Sequence, residues 1–255
     1  NIKNIYHILD TTFEETNKLD KILENCEDVT VNSYWDNTLY HLNDLPFDIK
    51  DMPYIFTNFR KQLSQVKFRD ERTINMNKLK NTINDVDNIS TIIEKNDNLK
   101  IDVLFEGGED KAWERLNYYF YDKKLLSVYK KTRNGLLGKD YSSKFSPYLA
   151  FGNISAKAIN NEIQKYEKEI EKNDSTYWLY FELLWRDFFR FSSLKYGNSI
   201  FKLGGIKNKI LEWRSNNKET LELFEKWKNG QTGYPYIDAN MIEMKKTGIM
   251  SKRVR

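Results

Sequence analysis

The chain has 255 residues and a mass of 30.5 kDa, with 41 Lys and Arg against 37 Asp and Glu for a net charge of +4. Its 40% hydrophobic content supports a sizeable core, while 31% charged residues exclude an integral membrane protein; the most apolar run, 177–185, is broken by Glu182 and is far shorter than the ~20 residues a bilayer span needs. A single cysteine, Cys26, excludes a disulfide framework and a thiolate zinc site, and the only two histidines, His7 and His41, argue against a histidine metal site or a Ser-His-Asp triad, so the 16 Tyr, 15 Phe and 6 Trp make rings and a bound cofactor the better carriers of chemistry.

Residues 1–52 hold 11 acidic and 4 basic side chains, a net of −7, which leaves +11 for the remainder. An acidic first part and a basic second part imply different partners, the second favouring an anion. The first part reads as α/β. Thr11 to Cys26 has Phe13, Leu19, Ile22 and Leu23 at helical spacing, with Thr11 or Thr12 as N-cap. Val29 to Trp35 alternates as a strand does, and Tyr54 to Leu63 reads as a helix announced by Pro53 at its first position. Residues 64–106 are polar and rich in Asn, Asp and Lys, an inter-domain connector whose composition permits order or disorder.

After Gly107-Gly108 the pattern is helical. Glu109 to Tyr121 places Ala112, Trp113, Leu116, Tyr119 and Phe120 on one face. Ser155 begins a helix through Ile159, Ile163 and Tyr166. Ser175 or Thr176 is expected to cap a long helix ending near Gly197. Thr220 to Trp227 is a short amphipathic helix stopped by Asn229-Gly230, and Pro235 opens the last one, which ends at Gly248. No strand signal of comparable strength follows Phe105, and no internal repeat is present. The expected architecture is an α/β remnant (residues 1–63), a connector (64–106) and a predominantly all-α region (107–255).

Four stretches are able to carry chemistry. Thr132 to Pro147 combines two glycines with Ser142, Ser143, Lys144 and Ser146 ahead of a helical run: hydroxyls, backbone N–H groups and an ammonium suited to phosphate or pyrophosphate. The plainer alternative is a serine helix cap. Asp174 to Phe191, read as a helix, puts Trp178, Glu182, Trp185 and Phe189 on one face, with Glu182 and Arg186 one turn apart. Such a wall is able to stack a planar ring or an extruded base while Glu182 accepts its N–H groups; a core helix with an internal Glu182–Arg186 ion pair is the alternative. Trp213, among Glu212, Arg214, Ser215 and Asn216, is expected to be partly exposed. The basic end, Lys245, Lys246, Lys252, Arg253 and Arg255, beside Gly230-Gln-Thr-Gly-Tyr-Pro235, either holds backbone phosphates or is a solvated face. No Walker loop, G-x-G-x-x-G or H-E-x-x-H is present.

Together these stretches resemble the cryptochrome/photolyase family, and within it the cryptochrome DASH branch. The likeness rests on 38–47 (Thr-Leu-Tyr-His-Leu-Asn-Asp-Leu-Pro-Phe), 56–61 (Phe-Thr-Asn-Phe-Arg-Lys), Gly107-Gly-Glu109, Thr132-Arg-Asn-Gly135, 140–147, 174–189, 230–239 and 247–255. The resemblance implies a Rossmann-like α/β photolyase domain joined to an all-helical FAD-binding domain, and a chain that is a fragment truncated at its C-terminal side, with weak FAD retention expected of residues 1–255 alone. It implies a deoxyribodipyrimidine photo-lyase: a blue-light-driven repair enzyme for cyclobutane pyrimidine dimers, with single-stranded DNA as partner, FAD as cofactor and a second antenna chromophore such as a folate. The alternative is a cryptochrome-type photoreceptor that binds FAD without repairing DNA. A monomer without membrane association, in a reducing intracellular compartment, is expected.

By the same resemblance, Tyr129 and Ser142, Ser143, Lys144, Phe145 and Ser146 correspond to cofactor phosphate contacts, Arg186 to an arginine beside the cofactor, and Leu179 to a cofactor contact that is Trp in some members. Glu182 and Trp185 correspond to the pair that holds a pyrimidine dimer, Arg133 and Arg253 to DNA-backbone contacts, and Trp213 to the solvent end of a tryptophan chain that photoreduces FAD. Lys252 stands where the family usually has Asn at the dimer pocket, a departure that weighs towards the photoreceptor. The resemblance requires the turn around Ser143 and the wall around Trp185 to converge on one cavity.

Overall fold

The computed structural model describes residues 3–25, 28–70 and 105–251. The start of the chain forms β1 (Asn4–Ile8), α1 (Phe13–Leu23) and β2 (Thr30–Tyr34), with β1 and β2 pairing in parallel, Asn4 opposite Thr30 and Ile8 opposite Tyr34. A parallel pair needs a crossover, and α1 supplies it. The expected strand over 29–35 is therefore present, one residue shorter at each end, while β1 is an element that the composition does not announce. Thr12 occupies the cap position of α1, yet its side chain makes no capping hydrogen bond. The expected helix end at Cys26 lies outside the described residues.

α2 (Phe56–Gln62) begins three residues after Pro53, with Ile55 at its cap, so Pro53 does not hold the first helical position. Phe56, Phe59 and Leu63 from this segment are buried in the same core as Leu116, Leu184, Phe188 and Phe191. Most of the expected connector, residues 71–104, lies outside the described residues.

From Glu109 onward every regular element among the described residues is helical: α3 (Glu109–Asn117), α4 (Tyr129–Thr132), α5 (Ser146–Ala150), α6 (Ala156–Glu169), α7 (Asp174–Tyr196), α8 (Lys218–Lys228) and α9 (Pro235–Thr247). α3 runs into a π-helical turn, 118–122, closed by the Lys123 N–H on the Tyr118 carbonyl at 2.9 Å. The wider turn lets Tyr119 and Phe120 both reach full burial. α6 is capped as expected, Ser155 Oγ accepting from the Ala158 N–H at 2.8 Å.

α7 is capped by Asn173, not by Ser175 or Thr176. Its Oδ1 accepts the N–H groups of Ser175 and Thr176 at 2.7 and 3.1 Å, and Thr176 Oγ1 accepts the Asn173 N–H at 3.2 Å, a reciprocal capping box. Ser175 and Thr176 are buried inside the first turn, where Ser175 Oγ accepts the Lys130 N–H at 3.2 Å. α9 has Pro235 at its first position and ends at Gly248, whose φ of 70° is the left-handed cap that glycine adopts without a Cβ penalty.

The early segment is locked onto α7 by buried polar contacts. Asp187, fully buried, accepts the N–H groups of Leu39 and Tyr40 at 3.0 Å each. Arg190 donates to Asp10 Oδ1 at 2.7 Å and to the Leu9 carbonyl at 3.1 Å. α7 thus carries the centre of the core and presents its polar positions to both parts of the chain.

Candidate functional site

The hydroxyl-rich turn is shaped from beneath by Arg115, a buried residue on α3. Its Nε donates to the Ser143 carbonyl at 3.1 Å, and one Nη donates to the Lys139 and Ser142 carbonyls at 2.7 and 3.1 Å. The other Nη meets Asp140 at 3.3 Å. A trans peptide holds its C=O and N–H antiparallel, so pulling these three carbonyls inward sends the N–H groups of Asp140, Ser143 and Lys144 away from the arginine. Lys144 adopts φ 60°, and its ammonium reaches the Tyr141 hydroxyl and lies 3.8 Å from the Tyr141 ring centroid. Outward amides, the Ser142 hydroxyl and a lysine form a donor set that fits a pyrophosphate.

The serine-cap alternative fails. α5 has Phe145 at its cap and no capping side-chain hydrogen bond. Ser143 is buried, Ser142 half-buried and Ser146 exposed. The Phe145 ring is buried against Tyr119 and Phe120, which leaves the backbone as the part of Phe145 that can meet an anion.

Tyr129 joins this turn to α7. It is buried at the start of α4, and burial pushes its hydroxyl up to about 12, with the nearby Glu182 charge adding to the shift and the Ser142 and Arg133 side chains opposing it. The phenol is therefore a hydrogen-bond donor throughout the neutral range. Arg133, at the C-terminal end of α4, forms a half-buried ion pair with Glu182. Its guanidinium carbon is 5.7 Å from the centroid of the Trp178 ring, and the Lys130 ammonium is 4.7 Å from that ring.

The internal Glu182–Arg186 pair is thus not the arrangement adopted. Glu182 reaches across to Arg133, and Arg186 turns the other way, donating to the backbone carbonyl and side-chain oxygen of Asn37. Burial lowers the Arg186 pKa from its ordinary value, with the adjacent Asp187 charge opposing that shift. Asn37, in a left-handed conformation at φ 71°, and Asp187 are contributors that no sequence pattern marked. Arg115 is another: it reads as a surface residue of an amphipathic helix.

Trp185 faces differently from Glu182. The Phe56 ring lies against it at 3.7 Å and 11°, and it lines a hollow of about 590 Å³ with Tyr54, Phe56, Phe188, Phe189 and Tyr196. No residue of the 142–146 turn lines that hollow. The expected convergence of the turn and the Trp185 wall on this hollow is therefore not found: the turn approaches α7 through Tyr129, Arg133 and Glu182, while Trp185 faces elsewhere. Leu179 is buried on α7. Trp213 stands apart, 59% exposed on a segment without regular structure, its indole N–H on the Leu203 carbonyl at 3.1 Å. Lys252 and Arg253 lie outside the described residues. In the first turn of α9, the Asp238 carboxylate accepts from the Thr232 N–H and hydroxyl and the Gly233 N–H of the preceding loop at 2.6–3.0 Å.

Among the described residues no cluster of His, Cys, Asp and Glu is able to hold a metal ion, and no helix is long and apolar enough to cross a membrane.

Comparison with known proteins places the sequence and fold. The family model "FAD binding domain of DNA photolyase" matches residues 178–255, which begin on α7. The chain is 46% identical over 226 residues to the chloroplastic/mitochondrial cryptochrome DASH of Arabidopsis thaliana, covering 87% of this chain and 39% of that protein. It is 41% identical over its whole length to the cryptochrome DASH of Synechocystis, covering 53% of that protein. The crystal structure of a Synechocystis cryptochrome superposes with a TM-score of 0.78 at 40% identity, over 99% of this chain and 53% of that one. The chain spans about half the length, or less, of these relatives.

Proposed function

Because the chain belongs to the cryptochrome/photolyase family, in its DASH branch, with an FAD-binding helical region, we propose that it serves blue-light-driven repair of cyclobutane pyrimidine dimers in single-stranded DNA. FAD, when bound in its fully reduced form, supplies an electron donor that blue light excites. The residues have separate tasks. Tyr129, the Ser142–Ser146 turn and Arg186 would hold the cofactor, the turn through its outward amides and hydroxyls. Glu182 would accept the N–H groups of an extruded dimer and hold it in place, and preorganised hydrogen bonds of this kind count for most where charge develops. Trp185, with Phe56 against its ring and turned to the aromatic hollow, is not placed to stack on a dimer held by Glu182, while Arg133 and Arg253 would meet the backbone phosphates. A single-stranded substrate suits such a site, since extruding a base from a duplex costs a few kcal/mol.

The observation that carries the reading is the cluster in which Tyr129, Arg133 and Glu182 join the hydroxyl-rich turn to α7. Lys252, in place of the usual Asn, is the sequence feature that favours a photoreceptor. One experiment decides between the two: the reduced, flavin-loaded protein is illuminated with a dimer-containing single-stranded oligonucleotide, and restored pyrimidines are counted. Repair that falls at least tenfold in Glu182→Gln supports the enzyme. A flavin-loaded protein that restores none overturns the enzyme reading and leaves the photoreceptor one.

A further inference from the structure

The Arg133–Glu182 pair ties together two side chains to which the repair reading gives separate jobs, one on the DNA backbone and one on the lesion. The pair engages one Nη of Arg133 and one Oε of Glu182, so a ligand that needs either of those atoms must displace the other side chain. Both side chains are half-buried, 14% and 20% exposed, so each needs a replacement partner before it leaves. The backbone around Arg133 is pinned. Its N–H donates to the Tyr129 carbonyl at 2.9 Å, the Gly135 N–H to the Thr132 carbonyl at 2.8 Å, and Ser251 Oγ to the Gly135 carbonyl at 2.9 Å. Only the side chain is left to change partner. Lys130 and Lys131 precede it in sequence, Lys130 paired with Asp174 at 2.9 Å and Lys131 exposed, and the exposed Lys131 draws a strand phosphate towards the same side of the turn.

We propose that the Arg133–Glu182 pair is a lesion-dependent latch. On an undamaged strand Arg133 stays on Glu182. When a pyrimidine dimer enters, its N–H groups take over Glu182, and the released guanidinium closes on an adjacent phosphate. Arg133 is thus a specificity-determining residue acting through Glu182, because the phosphate contact forms only where a lesion is present. The inference rests on the repair reading of the same site.

The test is dark binding of a labelled single-stranded oligonucleotide, with and without one pyrimidine dimer, to the flavin-loaded protein across a range of salt. Each phosphate engaged on a single strand adds about 0.7 to the slope of log K against log salt. The wild-type slope is expected to be steeper by about 0.7 on the dimer-containing strand. Glu182→Gln removes the charge that holds Arg133, so its slope on the undamaged strand rises towards that on the dimer-containing strand and the difference shrinks. Arg133→Gln gives both strands the shallower slope. Flavin absorbance and the unfolding midpoint establish that each variant is folded, and Glu182→Gln alone decides the matter if Arg133→Gln does not fold. Equal wild-type slopes on the two strands, or an undamaged-strand slope unmoved by Glu182→Gln, would overturn the latch. A protein that repairs with equal slopes loses the latch and keeps the repair reading; one that binds neither strand loses both.

Discussion

The ring of Phe56 lies nearly parallel to the indole of Trp185, centroids 3.7 Å apart. The contact joins α2 to the helix that carries Leu179, Glu182, Trp185 and Arg186. Phe56 also meets Phe181 and Phe188 edge-on, at 5.1 and 5.6 Å. Truncation to Ala removes a buried aromatic from the centre of this cluster and is expected to destabilise the protein by about 3–5 kcal/mol, with Leu costing less because it fills part of the space. Urea unfolding reads the loss. A shift of tryptophan emission to longer wavelength, as water reaches Trp185, identifies its origin.

Arg115 holds three carbonyls that no other described side chain reaches. Arg115→Met preserves most of the stem while leaving those acceptors without a donor, at an expected loss of about 3–5 kcal/mol. Arg115→Lys retains the charge but not the fork and should fall between. Faster amide exchange confined to residues 139–144 is the local signature; uniform protection there would show that the turn does not depend on the guanidinium.

Asp187 makes a pH prediction. Burial raises its pKa from 3.8 to about 7, against the opposing pull of the Tyr40 and Leu39 N–H groups and of the charges on Arg186 and Lys157. Between about pH 4 and pH 7 the folded chain therefore binds a proton that the unfolded chain does not, so this contribution to stability declines as pH rises through that window and is flat outside it. Its size is at most about 4 kcal/mol at 1.36 kcal/mol per unit. Asp187→Asn lacks this proton. The stability of the wild type relative to the variant should be greater at pH 5 than at pH 8, measured by denaturant titration at both.

Gly135 has no room for a side chain: a Cβ there would sit 2.6 Å from the Tyr141 Cβ. Gly135→Ala must push the 132–135 turn away from Tyr141, at about 1–3 kcal/mol. Because Arg133 lies in that turn, the variant should also weaken binding to dimer-containing single-stranded DNA, whereas an Ala at Gly138, which meets nothing nearby but sits at φ 84°, should act through backbone strain alone.

The helices of the second part were legible because their signals are local. Apolar spacing marked α3, α6 and α7, serine marked the start of α6, and proline with glycine bracketed α9. The cap of α7 lies two or three residues before the expected Ser175 or Thr176 because Asn173, Ser175 and Thr176 are all competent caps, and backbone geometry rather than residue type selects among them. The partners of the charged residues were not legible at all. Glu182 and Arg186 sit at ideal spacing for each other on α7, yet tertiary packing offers Glu182 a better partner 49 positions earlier and Arg186 one 149 positions earlier. Family likeness selected Glu182 and Trp185 together, and only the structure separates them, one facing the charged cluster and one the aromatic hollow. Arg115, Asn37 and Asp187 escaped notice for the same reason: their importance comes from carbonyls and amides distant in sequence.

The inward hold of Arg115 on its three carbonyls has a consequence for how loss of function would present. If the turn receives a cofactor's phosphates, Arg115 governs what fraction of molecules have the seat ready, while the contacting hydroxyls govern how tightly a ready seat grips. Both defects raise the apparent dissociation constant and both yield to excess ligand; what separates them is the empty protein, where only a defect of the first kind changes amide exchange in the turn before any ligand is added.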